Sequence, residues 1–257
     1  MAEAGRYLYA VCRGLAPSDL EGVRGLDGAP LELVHDQGLV AVVSDVDLGE
    51  YGEEGLRRNL EDLGWLEHAA RGHDAVVQAA ARVVPTAPLR LATICFDDNA
   101  VHDRLREWKD DLVRVLDRIE GRLELSVKVL AAPRPTAQPR PLAAANAPGA
   151  GADYLRQKQS QSRARVDEEA AAAEAAARAH DELASVSVAS RLLPAQDPRL
   201  TGHEGTMVLN GAYLVEAEDV GAFTALADRL AEQLGAGLTL DCRGPWPPYS
   251  FAVLDQP

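Results

Sequence analysis

From residue 123 to residue 242, segments with the apolar spacing of strands and of helices follow one another in an order that strongly constrains the fold. The order predicts a strand at 123–130, a helix at about 153–183, strands at 186–189 and 207–215, a helix at 220–234 and a strand at 238–242. This β-α-β-β-α-β order is that of the split βαβ, or ferredoxin-like, arrangement. We therefore expect a four-stranded antiparallel sheet that carries two helices on one face.

The first half of the chain predicts a related unit with the order β-β-β-α-β-α. Strands are expected at 7–12, 31–35, 39–44 and 89–96, a long helix at 56–84 that Pro85 ends, and a second helix at 101–119 that Gly121 stops. Asp36-Gln37-Gly38 predicts a hairpin turn between the second and third strands. The expected fold class is α+β, with a modified ferredoxin-like domain at 1–121 and a ferredoxin-like domain at 122–257.

Two unusual stretches interrupt the predicted second domain. Residues 132–150 are rich in proline and alanine and predict an extended loop, which contains Pro133, Pro135, Pro139, Pro141 and Pro148. The helix that follows is rich in alanine and has few large apolar residues, so it forms a helical extension. It either projects from the body or pairs closely with another helix.

The net charge of the chain argues against nucleic acid and anionic lipid as partners. The chain has 26 basic and 40 acidic residues, a net charge of -14, which repels nucleic acid and anionic lipid surfaces.

Cys12, Cys95 and Cys242 form no CxxC pair and lie in apolar runs, which predicts buried thiols in a reducing cytoplasm. No signal-peptide pattern and no apolar run long enough to span a bilayer occur in the sequence. We expect a cytoplasmic protein that binds neither nucleic acid nor a lipid membrane.

Motifs for catalysis, cofactors and metals are missing from the sequence. It contains no phosphate-binding loop, no G-x-S-x-G and no H-E-x-x-H. His68 and His73 are five residues apart, a spacing that does not place two metal ligands on one helical face, and His73 falls on an apolar stripe. Asp97 and Asp98 fit a helix cap better than a catalytic pair. We expect no enzymatic activity, no cofactor and no metal.

The most distinctive run is Gly244-Pro245-Trp246-Pro247-Pro248-Tyr249-Ser250-Phe251. Its prolines predict a stiff, extended segment without internal hydrogen bonds. Rigid aromatic side chains suit a binding surface, so the candidate partner-binding residues are Trp246, Tyr249, Phe251, Pro245, Pro247 and Pro248. The alternative is that the segment folds back over the last sheet with its rings buried. The two interpretations are compatible.

The same run resembles the TGPWPPYSF-like terminal motif of the gas vesicle GvpL/GvpF family, with Arg243 in place of the threonine. Further matching pieces, in the order of the family, are Tyr7-Leu8-Tyr9-Ala10-Val11, Gly38-Leu39-Val40-Ala41-Val42-Val43-Ser44, Pro88-Leu89-Arg90-Leu91-Ala92-Thr93-Ile94, Gly151-Ala152-Asp153-Tyr154-Leu155 and Asn210-Gly211-Ala212-Tyr213-Leu214-Val215. The fourth-strand piece resembles the family's P-L-R-F-G-T run, with Leu91 and Ala92 in place of phenylalanine and glycine.

The resemblance implies two ferredoxin-related domains, a helical extension and an accessory or minor structural role in gas vesicle formation, without catalysis. It implies contact with the apolar main shell protein, GvpA, and with other accessory proteins, in the cytoplasm at the vesicle. An acidic protein is suited to hold an aggregation-prone subunit, through a sheet edge or through the aromatic run. The alternative function is a ferredoxin-like ligand-binding or enzymatic domain with an unrecognised pocket. A general interaction scaffold is a further alternative.

Overall fold

A computed structural model describes residues 4–133, 150–196 and 205–252, with side chains of the 150–185 helix from residue 156. The predicted loop at 132–150 lies almost wholly outside these residues. Contacts group the described residues into two compact units, one running to Glu124 and resuming at Pro245, the other running from Leu125 to Gly244. The domain limits 1–121 and 122–257 stay a prediction, while residues from 245 onward have their contacts in the first unit.

The first unit is built on an antiparallel sheet. Its strands are β1 (Ala4–Cys12), β2 (Glu32–Asp36), β3 (Leu39–Asp47), β4 (Thr86–Pro88) and β5 (Ile94–Cys95). Their order is β2-β3-β1-β4, and β5 also pairs with β1. Gln37 and Gly38 have φ values of 48° and 85° and join β2 to β3, which confirms the hairpin. β1 is buried on both faces from Tyr7 to Cys12, as its nearly continuous apolar sequence requires.

The helices of the first unit correct two predictions. They are α1 (Leu48–Tyr51), α2 (Glu53–Asn59), α3 (Leu63–Ala81), α4 (Asp98–Glu107) and α5 (Lys109–Ile119). The predicted helix at 56–84 is divided, because the Asp62 carboxylate accepts from the N–H groups of Gly64 and Trp65 and starts α3 anew. The predicted strand at 89–96 is reduced to β5, since Ala92 adopts φ 62° and turns the chain. Asp97 caps α4 as expected, accepting from Ala100 N–H at 2.8 Å.

The second unit contains an antiparallel sheet and two helices. Its elements are β6 (Arg122–Ala131), α6 (Ala150–Ser185), β7 (Ala189–Leu192), β8 (Thr206–Glu216), α7 (Val220–Gln233) and β9 (Leu238–Trp246). The strand order is β7-β8-β6-β9, and β7 pairs antiparallel with β8. β7 begins later than the predicted strand at 186–189, because Val186 and Ser187 still donate to carbonyls of the last turn of α6. The protein is therefore of mixed helix-and-sheet class with two antiparallel sheets.

The long helix α6 has two contrasting parts. Ala176, Ala179 and Leu183 are buried in the core of the second unit, next to residues of β8. Every side chain from 156 to 170 is exposed. Small alanines let the end of the helix lie close to the sheet, whereas the first part has no buried side chain among those described.

Candidate partner-binding site

The terminal run leaves β9 at Trp246 and turns sharply instead of remaining extended. Tyr249 N–H donates to the carbonyl of Pro247 at 2.8 Å, and the N–H groups of Phe251 and Ala252 donate to the carbonyl of Pro248 at 3.1 and 3.0 Å. The prediction of an extended segment without internal hydrogen bonds is therefore wrong. Proline fixes φ at a value that turns also use, so the sequence alone did not decide between the two.

Tyr249 is held by the helix α3. Its hydroxyl donates to the Asp74 carboxylate at 3.0 Å, and its ring lies 6.4 Å from the His73 ring, centroid to centroid. Burial raises the pKa of Tyr249, and the nearby Asp74 carboxylate raises it further. The phenol therefore stays protonated as a donor, and Tyr249 serves as a half-buried anchor.

Ser250 is held by Glu124, a carboxylate buried at the start of β6. The Ser250 N–H donates to Glu124 Oε2 at 2.7 Å and its hydroxyl donates to Oε1 at 2.6 Å. Both carboxylate oxygens thus accept from one residue, and hydrogen bonds to a charged acceptor are stronger than neutral ones. Glu124 fixes the backbone of the turn at its centre.

The remaining anchors are apolar. Phe251 is 2% exposed, and the guanidinium of Arg118 in α5 lies 5.6 Å from its ring centroid. Pro247 and Pro248 are also buried. Burial of these side chains removes a large apolar area from water and ties the segment to the first unit.

Trp246 and Pro245 differ from the other predicted site residues because they are exposed. Trp246 is 41% accessible, although large apolar side chains are usually buried. The structure thus exposes Pro245 and Trp246, half-buries Tyr249, and buries Pro247, Pro248 and Phe251. The fold-back interpretation is right that Phe251 is buried and Tyr249 half-buried, but it is wrong about the place, because both contact the first unit and not the last sheet.

A layer of buried aromatic residues lies behind the terminal run. Tyr7 OH accepts from Ala92 N–H at 3.0 Å and forms a second hydrogen bond of 3.0 Å with His73 Nδ1. His73 Nε2 is buried and has no hydrogen-bond partner among the described residues. Burial lowers the pKa of His73 to about 4, so the ring is neutral at pH 7. His73 is a core histidine, as its position on the apolar stripe predicted.

Sequence analysis did not identify the residues that hold the terminal run: Asp74, Arg118 and Glu124. Tyr249 and Asp74 are 175 positions apart, and Ser250 and Glu124 are 126 apart. The sequence offered one weak signal, the acidic Glu124 at the start of an apolar strand, which needs a partner only if it is buried.

Other chemistry in the described residues is sparse. A cavity of about 470 Å³ in the first unit is lined by Pro17, Leu20, Gly22, Val23, Arg24, Pro30, Leu31, Glu32, Leu33 and His35. No group of three metal-ligating side chains occurs within the described ranges. His68 is exposed and its Nε2 lies 3.1 Å from Asp27 Oδ1.

All three cysteines are free, with Cys12 and Cys95 buried and Cys242 only half-buried. Burial raises the pKa of Cys12 and of Cys242 to about 11, which leaves these thiols protonated and unreactive at neutral pH. None of the described helices is both long and apolar enough to cross a bilayer.

Comparison with known proteins covers nearly the whole chain. The family described as "Gas vesicle synthesis protein GvpL/GvpF" matches residues 5–253. The chain is 42% identical to Gas vesicle protein L of Streptomyces sp. (strain CB03234) over 98% of this chain and 94% of the relative. It is 28% identical to Gas vesicle protein F of the same strain over 95% and 98% of the two chains.

Solved structures show the same fold. The crystal structure of GvpF from Anabaena sp. PCC7120 matches with a TM-score of 0.67 at 17% identity, covering 98% of each chain. The crystal structure of GvpF from Microcystis aeruginosa matches with a TM-score of 0.65 at 17% identity, covering 97% of this chain and 99% of the other. Together with the terminal run, the match over residues 5–253 and the 42% identity to a gas vesicle protein L place this chain in the GvpL/GvpF family of gas vesicle proteins.

Proposed function

We propose that this chain assists gas vesicle assembly by binding the main shell protein, GvpA, and helping to nucleate or build the shell. The observation that carries the proposal is Trp246, an exposed indole directly before the buried Pro247 and Pro248. Exposed Trp246 and Pro245 form the contact surface. Tyr249, Phe251, Pro247 and Pro248 support that surface from inside.

The chemistry of a gas vesicle shell favours an apolar contact with this chain. A shell that holds gas has an apolar face, and a free subunit with such a face aggregates. An indole offers a large apolar contact with few rotatable bonds, which lowers the entropy lost on binding. The net charge of -14 keeps the complex dispersed through mutual repulsion.

The anchors make the contact surface rigid before binding. The Tyr249–Asp74 and Ser250–Glu124 hydrogen bonds fix the chain just after Trp246. Because the loop is already ordered, less conformational entropy is lost when a partner binds. This role explains why the run combines several anchors with one exposed aromatic side chain.

The test is co-purification of GvpA with the full chain after co-expression, comparing wild type with Trp246→Ala. Phe96→Ala is the matched control, because Phe96 is the more exposed aromatic side chain at 78% accessibility and belongs to a different loop. We expect Trp246→Ala to reduce captured GvpA about tenfold, the effect of a central aromatic contact. Phe96→Ala should capture wild-type amounts.

Equal capture by Trp246→Ala and wild type would refute the contact surface. Loss of capture by both variants would mean that any exposed aromatic residue holds the shell protein, which contradicts a specific site. Thermal unfolding of each purified variant checks that both are folded, since both side chains are exposed and their removal should change stability little. Vesicle yield in cells that express each variant tests assembly itself.

We also infer that both units are ferredoxin-related. The second unit has the β-α-β-β-α-β order, and the order β7-β8-β6-β9 places its first and third strands at the centre, as in the split βαβ arrangement. The free, largely buried thiols agree with a cytoplasmic protein associated with the vesicle. The competing function, a ligand-binding or enzymatic domain, would use the 470 Å³ cavity near Arg24 and His35. Substitution of Arg24 should leave GvpA capture unchanged.

A further inference from the structure

The exposed part of α6 is divided into a basic and an acidic stretch. Residues 156–165 contain four basic residues and no acidic one, in a chain whose net charge is -14. The basic residues are Arg156, Lys158, Arg163 and Arg165. Asp167, Glu168, Glu169 and Glu174 follow directly. One exposed helix therefore presents both charges, separated along its axis.

Some of these charges share one face of the helix. Arg156, Arg163, Asp167 and Glu174 follow one another at steps of seven, four and seven residues, which is the spacing of a single helical stripe. All four side chains are exposed. The stripe thus faces open space with two cations followed by two anions.

The stripe has the symmetry of a self-complementary surface. Arg156 and Glu174 are equally far from Arg165, and so are Arg163 and Asp167. A two-fold axis through this point would place each cation opposite an anion of an identical, antiparallel helix. We propose that α6 pairs antiparallel with α6 of a second copy of this chain, with Arg156 facing Glu174 and Arg163 facing Asp167 of that copy. Each pair occurs twice by symmetry.

Apolar residues support the same register. Val166, 61% exposed, lies next to the proposed axis, so that the two copies of this side chain meet. Ala170 and Ala173 continue its face at steps of four and three and are also exposed. Their small side chains let two helices approach closely. The overlap from 156 to 174 spans about 28 Å of helix at 1.5 Å per residue.

The pattern favours a second copy over other occupants. A nucleic acid would meet Asp167 directly after the basic stretch, and its phosphates would be repelled there. An acidic protein would attract the two cations of the stripe but would place like charge opposite Asp167 and Glu174. Self-pairing places opposite charge against both halves of the stripe. The existing Glu174–Arg178 ion pair, at 2.7 Å, is exposed and therefore offers weak competition.

The experiment is sedimentation equilibrium of the full chain over a concentration series. Wild type should dimerise reversibly. Arg163→Glu should weaken dimerisation at least about tenfold, because two attractive contacts become repulsive in each dimer. The double variant Arg163→Glu with Asp167→Arg exchanges the charges and should recover most of the affinity. Arg57→Glu is the matched control, since Arg57 is an exposed arginine of a different helix and the substitution makes the same change of charge.

Three results would overturn the proposal: a wild type that stays monomeric at every concentration, a dimer that Arg163→Glu does not weaken, or a double variant as weak as the single one. Circular dichroism of each variant verifies that α6 is still helical. The second result would locate the interface elsewhere on the chain. The measurement involves no shell protein, so its outcome is independent of the proposed binding of GvpA.

Discussion

The terminal run and the first part of α6 are both unusual in sequence, yet most of the run is buried and the first part of α6 is exposed. The terminal run is short, proline-rich and aromatic, and the first unit buries most of it. The first part of α6 is long and polar, and all its side chains from 156 to 170 are exposed. The difference shows that apolar anchors fix a short segment in place, whereas intrinsic helix propensity forms α6 without them.

The two proposed binding surfaces also differ in how the fold holds them. The terminal run offers one indole on a base that hydrogen bonds and buried rings make rigid. Helix α6 offers a row of weak charged contacts on a regular scaffold. A single substitution in an anchor should therefore lower the free energy of unfolding clearly, while a single substitution in the first part of α6 should change it little.

The largest expected effect distinguishes the two regions directly. Phe251→Ala removes a fully buried ring and should lower the free energy of unfolding by about 3–4 kcal/mol, because it leaves a cavity and loses apolar burial. Val166→Ala in α6 should change it by less than about 0.5 kcal/mol at protein concentrations low enough for the chain to be monomeric, since Val166 is exposed in the single chain. Urea denaturation followed by circular dichroism measures both.

A Phe251→Ala protein as stable as wild type would mean that the terminal run is not anchored in solution. A large loss from Val166→Ala would mean that the first part of α6 packs against the same chain. Either result would contradict the conclusion that the terminal run is anchored by burial and the first part of α6 is not. The slope of the denaturation curve should stay unchanged, which verifies that the same folded state is measured.

The sequence predicted much of the fold because local patterns decide most of its elements. The hairpin turn at Gln37-Gly38, the Asp97 cap and the long alanine-rich helix follow from residues next to them in the chain. The division of the 56–84 helix was missed because Leu60 and Leu63 continue the apolar spacing across the break. Both are exposed, at 48% and 69%. Spacing alone does not show whether a stripe has a partner.

The candidate site was predicted only in part, because distant contacts determine it. The terminal motif made this segment the candidate, but its turned backbone depends on Glu124, 126 positions earlier. The exposure of Trp246 and the burial of Phe251 follow from which elements lie beneath them. No local spacing rule separates two aromatic residues five positions apart in an irregular segment.

Acid should weaken the layer behind the terminal run. In the unfolded chain His73 has a pKa near 6.5, and burial lowers the pKa to about 4 in the folded state. Between these values the unfolded chain binds a proton that the folded chain does not. Stability is therefore full above pH 6.5 and falls as the pH drops to 4, by up to about 3 kcal/mol from this group. Denaturation at several pH values measures the slope.

The matched pair for this test is His73→Gln and His68→Gln. The first should flatten the slope between pH 4 and 6.5, because it removes the buried titrating ring. The second should leave the slope unchanged, since His68 is exposed. Equal slopes for wild type and His73→Gln would contradict a buried neutral histidine.

The next largest difference in stability is expected between substitutions of two glutamates, Glu124 behind the terminal run and Glu174 in α6. Glu124→Gln replaces a charged acceptor of two hydrogen bonds and should cost about 1–2 kcal/mol. Glu174→Gln, which breaks an exposed ion pair in α6, should cost about 0.3 kcal/mol. Denaturation at pH 7 compares them. Equal costs would show that burial does not distinguish these two carboxylates.

The smallest expected effect is a gain in stability. Ala92→Gly should stabilise the protein, whereas the substitutions of buried anchors should destabilise it. Ala92 has φ 62°, a left-handed conformation that costs a residue with a side chain about 1 kcal/mol, and its N–H donates to Tyr7 in the layer behind the terminal run. In the P-L-R-F-G-T run of the GvpL/GvpF family, which residues 88–93 resemble, glycine stands at this position. Glycine removes the strain but is more flexible when unfolded, so the net gain should be about 0.5 kcal/mol. Ala87→Gly is the control, because Ala87 lies buried in β4, where glycine should destabilise. Opposite signs for these two substitutions in urea denaturation would show that backbone strain at Ala92 is the cause, and a loss of stability in both would exclude it.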